Sequence, residues 1–322
     1  MRRALCGTHD AFASSPNPAP VFHRNMSGFR ADRFATLFVF HPIQRLRPWK
    51  PRIPILMYHS VSENERCARH PYFRTATDPR VFGEQLKFLY DNRFRAVSLS
   101  EAVGGESGPV CGSGRPVVIT FDDGFEDFYT EAFPLLHKYE YSATVFLPTA
   151  YIGDTARSFK GVRCLTWNQV RELHGAGIDF GSHTVTHPQL KTLKTRDIHE
   201  EVHCSKQTIE EKLGAPVKSF AYPYAFPETD RGFKRSLHAT LEEAGYENGV
   251  CTSIGTADPR TDRFFLKRLP VNSSDDPPLF KAKLEGGYDW LYTLQYAAKL
   301  CSRAQDEEGD KAPDGRTLDR PI

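Results

Sequence analysis

Val117-Val-Ile-Thr-Phe-Asp122-Asp123-Gly124 reads as a buried strand that ends in two adjacent carboxylates and a glycine. Parallel α/β architectures gather their active residues at the carboxyl ends of strands, where loops present them on a rigid support. Neighbouring carboxylates repel, so both stay ionised only beside a cation or strong donors. Gly124 permits a tight backbone turn beside them. Taken alone, the stretch reads better as a strand-terminating turn with an Asp cap.

Outward from this stretch, short apolar runs alternate with amphipathic ones, the signature of successive βα units around a parallel sheet. The runs at Ile53 to Tyr58, Ala96 to Leu99, Val117 to Phe121, Ala143 to Leu147, Ile178 to Gly181, Ser219 to Tyr222, Gly249 to Thr252 and Phe265 to Leu269 predict eight strands and a barrel-like closure. Ile198, Val202, Ile209 and Leu213 form one helical stripe, with Thr195 as its expected cap and Gly214 as its stop. Phe82, Leu86 and Leu89 before Asn92, and Phe233, Leu237 and Leu241 before Gly245, give similar core-facing stripes.

The chain has 322 residues, and its 42 Lys+Arg against 40 Asp+Glu leave a net charge of +2, which gives no electrostatic case for a nucleic-acid or membrane-surface protein. The longest early apolar run, Phe34 to Phe40, is far shorter than the ~18 residues of a spanning helix, so no transmembrane anchor is expected. Cys6, Cys67, Cys111, Cys164, Cys204, Cys251 and Cys301 are odd in number and form no C-x-x-C pair. That usage, together with the lack of an apolar stretch after Met1-Arg2-Arg3, points to reduced thiols and a cytoplasmic setting. Met26 is an alternative start. Residues 1–50 are expected to form an irregular leader, 51–275 the catalytic domain, 276–302 a C-terminal helical segment and 303–322 a disordered tail.

A second strand end changes the reading of the two carboxylates. His183-Thr-Val-Thr-His187-Pro188 places two imidazoles four residues apart, able to face one metal if the intervening backbone makes a single helical turn, while Pro188 stops that turn from extending. Two histidines and one carboxylate form the usual three-ligand set of a hydrolytic metal site with an open position for water. A third strand end, Tyr222-Pro223-Tyr224, offers a backbone N–H at Tyr224 as an oxyanion donor, although such a bend also packs aromatics with no chemical role.

Together these motifs resemble the polysaccharide deacetylase family, the NodB-homology carbohydrate esterases. Thr120-Phe-Asp-Asp-Gly124 is similar to the first family motif and His183-Thr-Val-Thr-His187 to the second, with Leu165-Thr-Trp-Asn-Gln-Val170 between them as a helix opening. Leu56-Met-Tyr-His59-Ser-Val61 further resembles the subgroup of exopolysaccharide N-deacetylases. The resemblance runs from the Ile53 strand to Val271 and implies an α/β fold, a distorted (β/α) barrel. It implies Asp122 as catalytic base, Asp123, His183 and His187 as metal ligands, and an N-acetylated sugar of a polysaccharide or its precursor as substrate. Zinc is the default for such ligands, with cobalt, nickel or iron also compatible. The implied chemistry is attack of an activated water on an acetamide carbonyl, with Tyr224 N–H at the oxyanion.

Two departures stand out. Ala221 precedes Tyr222-Pro223-Tyr224 where many members carry an arginine that orients the base, and the terminal histidine motif is missing, the last histidine being His238. His59, at the end of the first strand, is the candidate acid for the leaving amine. Arg268 is a substitute for the arginine, though a surface or ion-paired role is the plainer reading. The missing motif also motivates a different reading of the chain, as a non-catalytic carbohydrate-binding domain. His199 and His203 read as a solvent-facing pair on a helix, His70-Pro-Tyr-Phe73 as a plain loop, and neither Cys67 nor Cys164 has a base spaced to make it a nucleophile.

Overall fold

A computed structural model describes residues 30–46, 52–63, 74–104, 114–258 and 262–309. Its main sheet has eight strands: β1 Ile55–Tyr58, β2 Phe94–Ala96, β3 Arg115–Phe121, β4 Thr144–Leu147, β5 Asp179–Ser182, β6 Ser219–Ala221, β7 Asn248–Ile254 and β8 Leu266–Pro270. Seven of them close a parallel barrel in the order β1, β8, β7, β6, β5, β4, β3, because β1 pairs with both β8 and β3. β2 stays outside the ring, against the amino-terminal half of β3. The expected strand at Ala96 to Leu99 is therefore shifted. Ser98 and Glu101 form a capping box that starts the helix Leu99–Val103 and ends any strand there.

Strand alternation sorts the core into two parts. Ile55, Val118, Phe146, Ala221, Val250 and Leu266 share a compact cluster inside the barrel, whereas Leu56, Tyr58, Val117, Ile119, Phe121, Val145 and Leu147 pack outward beneath the helices. Gly181 is required by this filling: a Cβ there would lie 2.5 Å from the Phe146 ring and 2.8 Å from the Ser219 carbonyl oxygen.

The helices follow the expected stripes. Pro79–Asp91 buries Phe82, Leu86 and Leu89, and Arg231–Glu243 starts on the Asp230 cap and buries Leu237 and Leu241. Thr195–Leu213 ends on Gly214 in the left-handed region, as expected, but Thr195 is its first helical residue and not its cap. Lys194 occupies the cap position without a side-chain hydrogen bond. Trp167–Gly175 opens on a capping box between Thr166 and Gln169.

Residues 31–46, inside the stretch expected to be irregular, are helical throughout. They dock on the carboxyl-terminal helices Pro277–Leu284 and Trp290–Gly309. Phe40 stacks on Trp290 with ring centroids 4.6 Å apart, the Tyr288 hydroxyl donates to Asp32 at 2.9 Å, and Arg33 pairs with Asp276 at 2.6 Å. The last helix runs to Gly309, past the expected boundary at 302. Cys6, Cys67, Cys111, Met26, His70 to Phe73 and residues 310–322 lie outside the described residues. Among the described residues, Cys164, Cys204, Cys251 and Cys301 form no disulfide. No helix among the described residues is long and apolar enough to cross a membrane.

Candidate active site

β3 carries Val118, Thr120 and Asp122 on its inner face, so Asp122 arrives at the carboxyl rim already buried. β8 carries Leu266 and Arg268 on the same inner face. The Arg268 guanidinium crosses the lumen and grips Asp122 through two parallel hydrogen bonds of 2.7 Å, with Nε donating to the Cys251 carbonyl at 3.1 Å. Both side chains are sealed from solvent. Burial pushes the Asp122 carboxyl up, but Arg268, helped by His183 and His59, outweighs it and holds the group well below the ordinary carboxylate range. Asp122 is therefore a fixed, ionised carboxylate. The surface reading of Arg268 is corrected and the ion-paired one holds: its partner is Asp122 itself, reached from a strand other than the one that ends beside Tyr222.

Asp123 points elsewhere because its backbone is left-handed, with φ 72°. Gly124 follows at φ 59°, where an added Cβ would meet Leu147 at 2.8 Å. This turn aims Asp123 Oδ1 at two imidazoles: His187 Nε2 at 3.3 Å and His183 Nε2 at 3.7 Å. The two histidines do not sit on a helical turn. Thr184 and His187 have φ of 68° and 57°, and Thr184 Oγ1 accepts the His187 N–H at 3.0 Å. Glu201, from the helix Thr195–Leu213, accepts the backbone N–H groups of Val185 and Thr186 at 2.7 and 2.9 Å and ties the loop down. Asp123, Thr184, His187 and Tyr224 are thus four strained non-glycine residues on one rim, the concentration expected of a functional site.

The cluster fits a divalent metal. Asp123 Oδ1 is buried and accepts no hydrogen bond among the described residues. His183 Nδ1 donates to the Ala221 carbonyl at 2.8 Å, which leaves the Nε2 lone pair facing Asp123. Burial lowers His183 to about 4 and His187 to about 3, so both rings are neutral ligands near pH 7. The donor separations approach the ~3.3 Å between ligands on a tetrahedral zinc.

Tyr224 sits in a left-handed turn after β6, half exposed, its ring 4.5 Å from that of His187. His59 follows β1, with Nε2 3.9 Å from Asp122 Oδ2. Every residue assigned to the site from sequence is therefore at this one rim. Lys160 was not among them. It stands at the tip of the hairpin formed by Ser158–Phe159 and Val162–Arg163, with φ of 51° followed by Gly161 at 74°, as a tight hairpin turn requires. Its ammonium reaches Asp123 Oδ2 at 3.4 Å and lies over the rings of Phe159 and Tyr224. No local pattern marks Lys160; only the fold of the hairpin back over the rim brings it in. A cavity of about 630 Å³ opens between residues 31–46, the last helix and the outer wall of β7 and β8.

A parallel barrel with a carboxylate–arginine pair beside an Asp-His-His cluster at its carboxyl rim is the architecture of a barrel hydrolase. The sequence model of the polysaccharide deacetylases matches residues 110–249. YxkH of Bacillus subtilis (strain 168), which bears the family's name, is 30% identical over 234 residues, covering 73% of this chain and 76% of its own length. The chain belongs to the polysaccharide deacetylase family. The poly-β-1,6-N-acetyl-D-glucosamine N-deacetylase of Staphylococcus aureus (strain MRSA252) is 25% identical over 171 residues, a match spanning 50% of this chain and 56% of that protein. Among solved structures, the Streptococcus pyogenes deacetylase PplD in complex with acetate superposes with a TM-score of 0.61 over 73% of this chain and 98% of its own, at 24% identity, and IcaB from Ammonifex degensii with 0.57 over 73% and 98%, at 22%. Those structures share the barrel.

Proposed function

We propose that this protein is a metal-dependent hydrolase that removes acetyl groups from N-acetylated sugars of a polysaccharide or its precursor. One observation carries the reading: an ionised, doubly hydrogen-bonded Asp122 lies next to an orphaned Asp123 oxygen that faces two neutral imidazoles. A divalent cation held by Asp123, His183 and His187 would supply Lewis acidity to water and to the acetamide carbonyl, with zinc the first choice for this donor set.

The chain's own residues account for the remaining steps. Asp122 receives the proton of the attacking water. Arg268 depresses its basicity, yet keeps it ionised and immobile. The Tyr224 N–H donates to the oxyanion, and His59, 3.9 Å from Asp122, returns a proton to the leaving amine nitrogen. Acetate and a free amino sugar result. The Staphylococcus aureus relative, named for an N-acetylglucosamine polymer, supports this substrate class.

Acetate release from N-acetylglucosamine oligomers and from monomeric N-acetyl sugars tests the reading. Stoichiometric metal, with release that Asp122→Asn abolishes, is expected. Metal-free protein that binds glycans without turnover would replace it by the carbohydrate-binding reading. For His59, the pH–rate profile of His59→Ala should lose its basic limb; an unchanged limb removes His59 from the acid role.

A further inference from the structure

We propose a second divalent-metal site, built from His199, His203 and Glu243 on the outer helices, for an imidazole-preferring ion such as Zn2+, Ni2+ or Cu2+. His199 and His203 lie one turn apart on the helix Thr195–Leu213, and Glu243 closes the neighbouring helix Arg231–Glu243. One donor atom from each falls within 4.8 Å of the other two. The imidazole planes are nearly parallel, 6° apart, with ring centroids separated by 5.7 Å.

Hydrogen bonding orients the first of these rings. The Thr240 hydroxyl donates its hydrogen to the Ser236 carbonyl at 3.1 Å, so its contact with His199 Nε2, also 3.1 Å, is one in which the ring donates. A neutral ring held in this way presents the lone pair of His199 Nδ1 to Glu243 Oε2, 3.9 Å away. Two electron-rich atoms then face each other across a gap that a cation fits. His203 Nε2 is buried and, among the described residues, without a hydrogen-bond partner. Glu243 is the last residue of its helix, where the negative end of the helix dipole disfavours a carboxylate and favours a cation beside it. Two imidazoles and a carboxylate, with water completing the shell, select borderline transition metals over magnesium or calcium. The donors must close from 4.8 Å toward the ~3.3 Å of a tetrahedral site, which the half-exposed side chains can do by rotation.

Such an ion would staple the two helices that follow β5 and β6, the strands whose ends carry His183, His187 and Tyr224. Chelator-stripped full-length protein, titrated with Zn2+ alone near neutral pH, should take up one equivalent more than His203→Gln or Glu243→Lys, counted by equilibrium dialysis and elemental analysis. Glu243→Lys changes an exposed position, so it decides the matter if His203→Gln fails to fold. Two equivalents falling to one supports the site, as does one falling to none should the Asp123 cluster bind nothing. Equal stoichiometry in wild type and Glu243→Lys overturns it. Acetate release by the variants, measured at saturating metal, should stay within about twofold of wild type.

Discussion

His183/His187 and His199/His203 are two histidine pairs of identical spacing on two kinds of scaffold. The first sits on a strand-end loop with two left-handed residues, sealed from solvent, with a backbone carbonyl fixing one tautomer. The second sits on a regular helix, half exposed, with a threonine hydroxyl in the equivalent role. Spacing alone makes the pairs equal. What separates them is the company each keeps: the loop pair meets a buried aspartate beside a second, arginine-bound carboxylate, whereas the helix pair meets a single exposed glutamate. The difference teaches that a pair becomes a reaction centre through the groups around it, while metal affinity alone asks for much less.

The sharpest test sets His187→Gln against His203→Gln. On the proposed mechanism His187 is a metal ligand whose loss removes several kcal/mol of transition-state stabilisation, so acetate release should fall by about 10³-fold or more. The helix variant should release acetate at close to the wild-type rate. Equal losses would mean that the two pairs form one functional unit.

Arg268→Met probes the feature that the helix pair lacks. It leaves Asp122 buried and unpaired, at an expected cost of about 3–5 kcal/mol, read as a lower denaturant midpoint at unchanged slope. The depressed carboxyl makes its contribution in full above the unfolded pKa near 4 and loses it as pH falls toward the native value. In Arg268→Met this acid dependence should shrink. A variant as stable as wild type, with the same acid limb, would show that the pair does not matter to the fold.

The loop imidazoles also predict a pH dependence in metal-free protein. Burial lowers His183 to about 4 and His187 to about 3, against 6.5 for the ordinary side chain. Between those values the unfolded chain binds more protons than the folded one, so stability rises with pH. The slope should approach about 1.4 kcal/mol per pH unit for each imidazole between pH 4 and 6.5, then flatten. Thermal denaturation across that range checks it, and His183→Ala should halve the slope.

Much of this architecture is legible in the sequence. Strand runs and helix stripes carry long-range regularity, and all eight strands stand within a few residues of their expected places. Asp122, Asp123, His183, His187, Tyr224 and His59 were readable because each falls at the end of an apolar run, and such ends share a rim in a parallel barrel. Closure by seven strands was not readable, since it depends on β1 finding β3 while β2 slides outside. Arg268 was half readable: its alternation with Leu266 places it on the inner face, but nothing local says that the inner face leads to Asp122. Lys160 and Glu201 carry no signal at all, because both act across tertiary contacts that local sequence does not encode.

The smallest expected effect sharpens the comparison most. Thr240→Val keeps the shape of the side chain and removes the acceptor that holds His199 in its tautomer. If the hydroxyl does for the helix pair what the Ala221 carbonyl does for the loop pair, Zn2+ affinity at His199, His203 and Glu243 should fall by about 10- to 100-fold, the usual weight of a group that orients a ligand from behind. The loop site, whose orienting group belongs to the backbone, is untouched by the change and serves as the internal reference in the same titration. An unaltered affinity would mean that the helix itself, by fixing the two rings one turn apart, is sufficient, and that the resemblance between the two sites ends at their spacing.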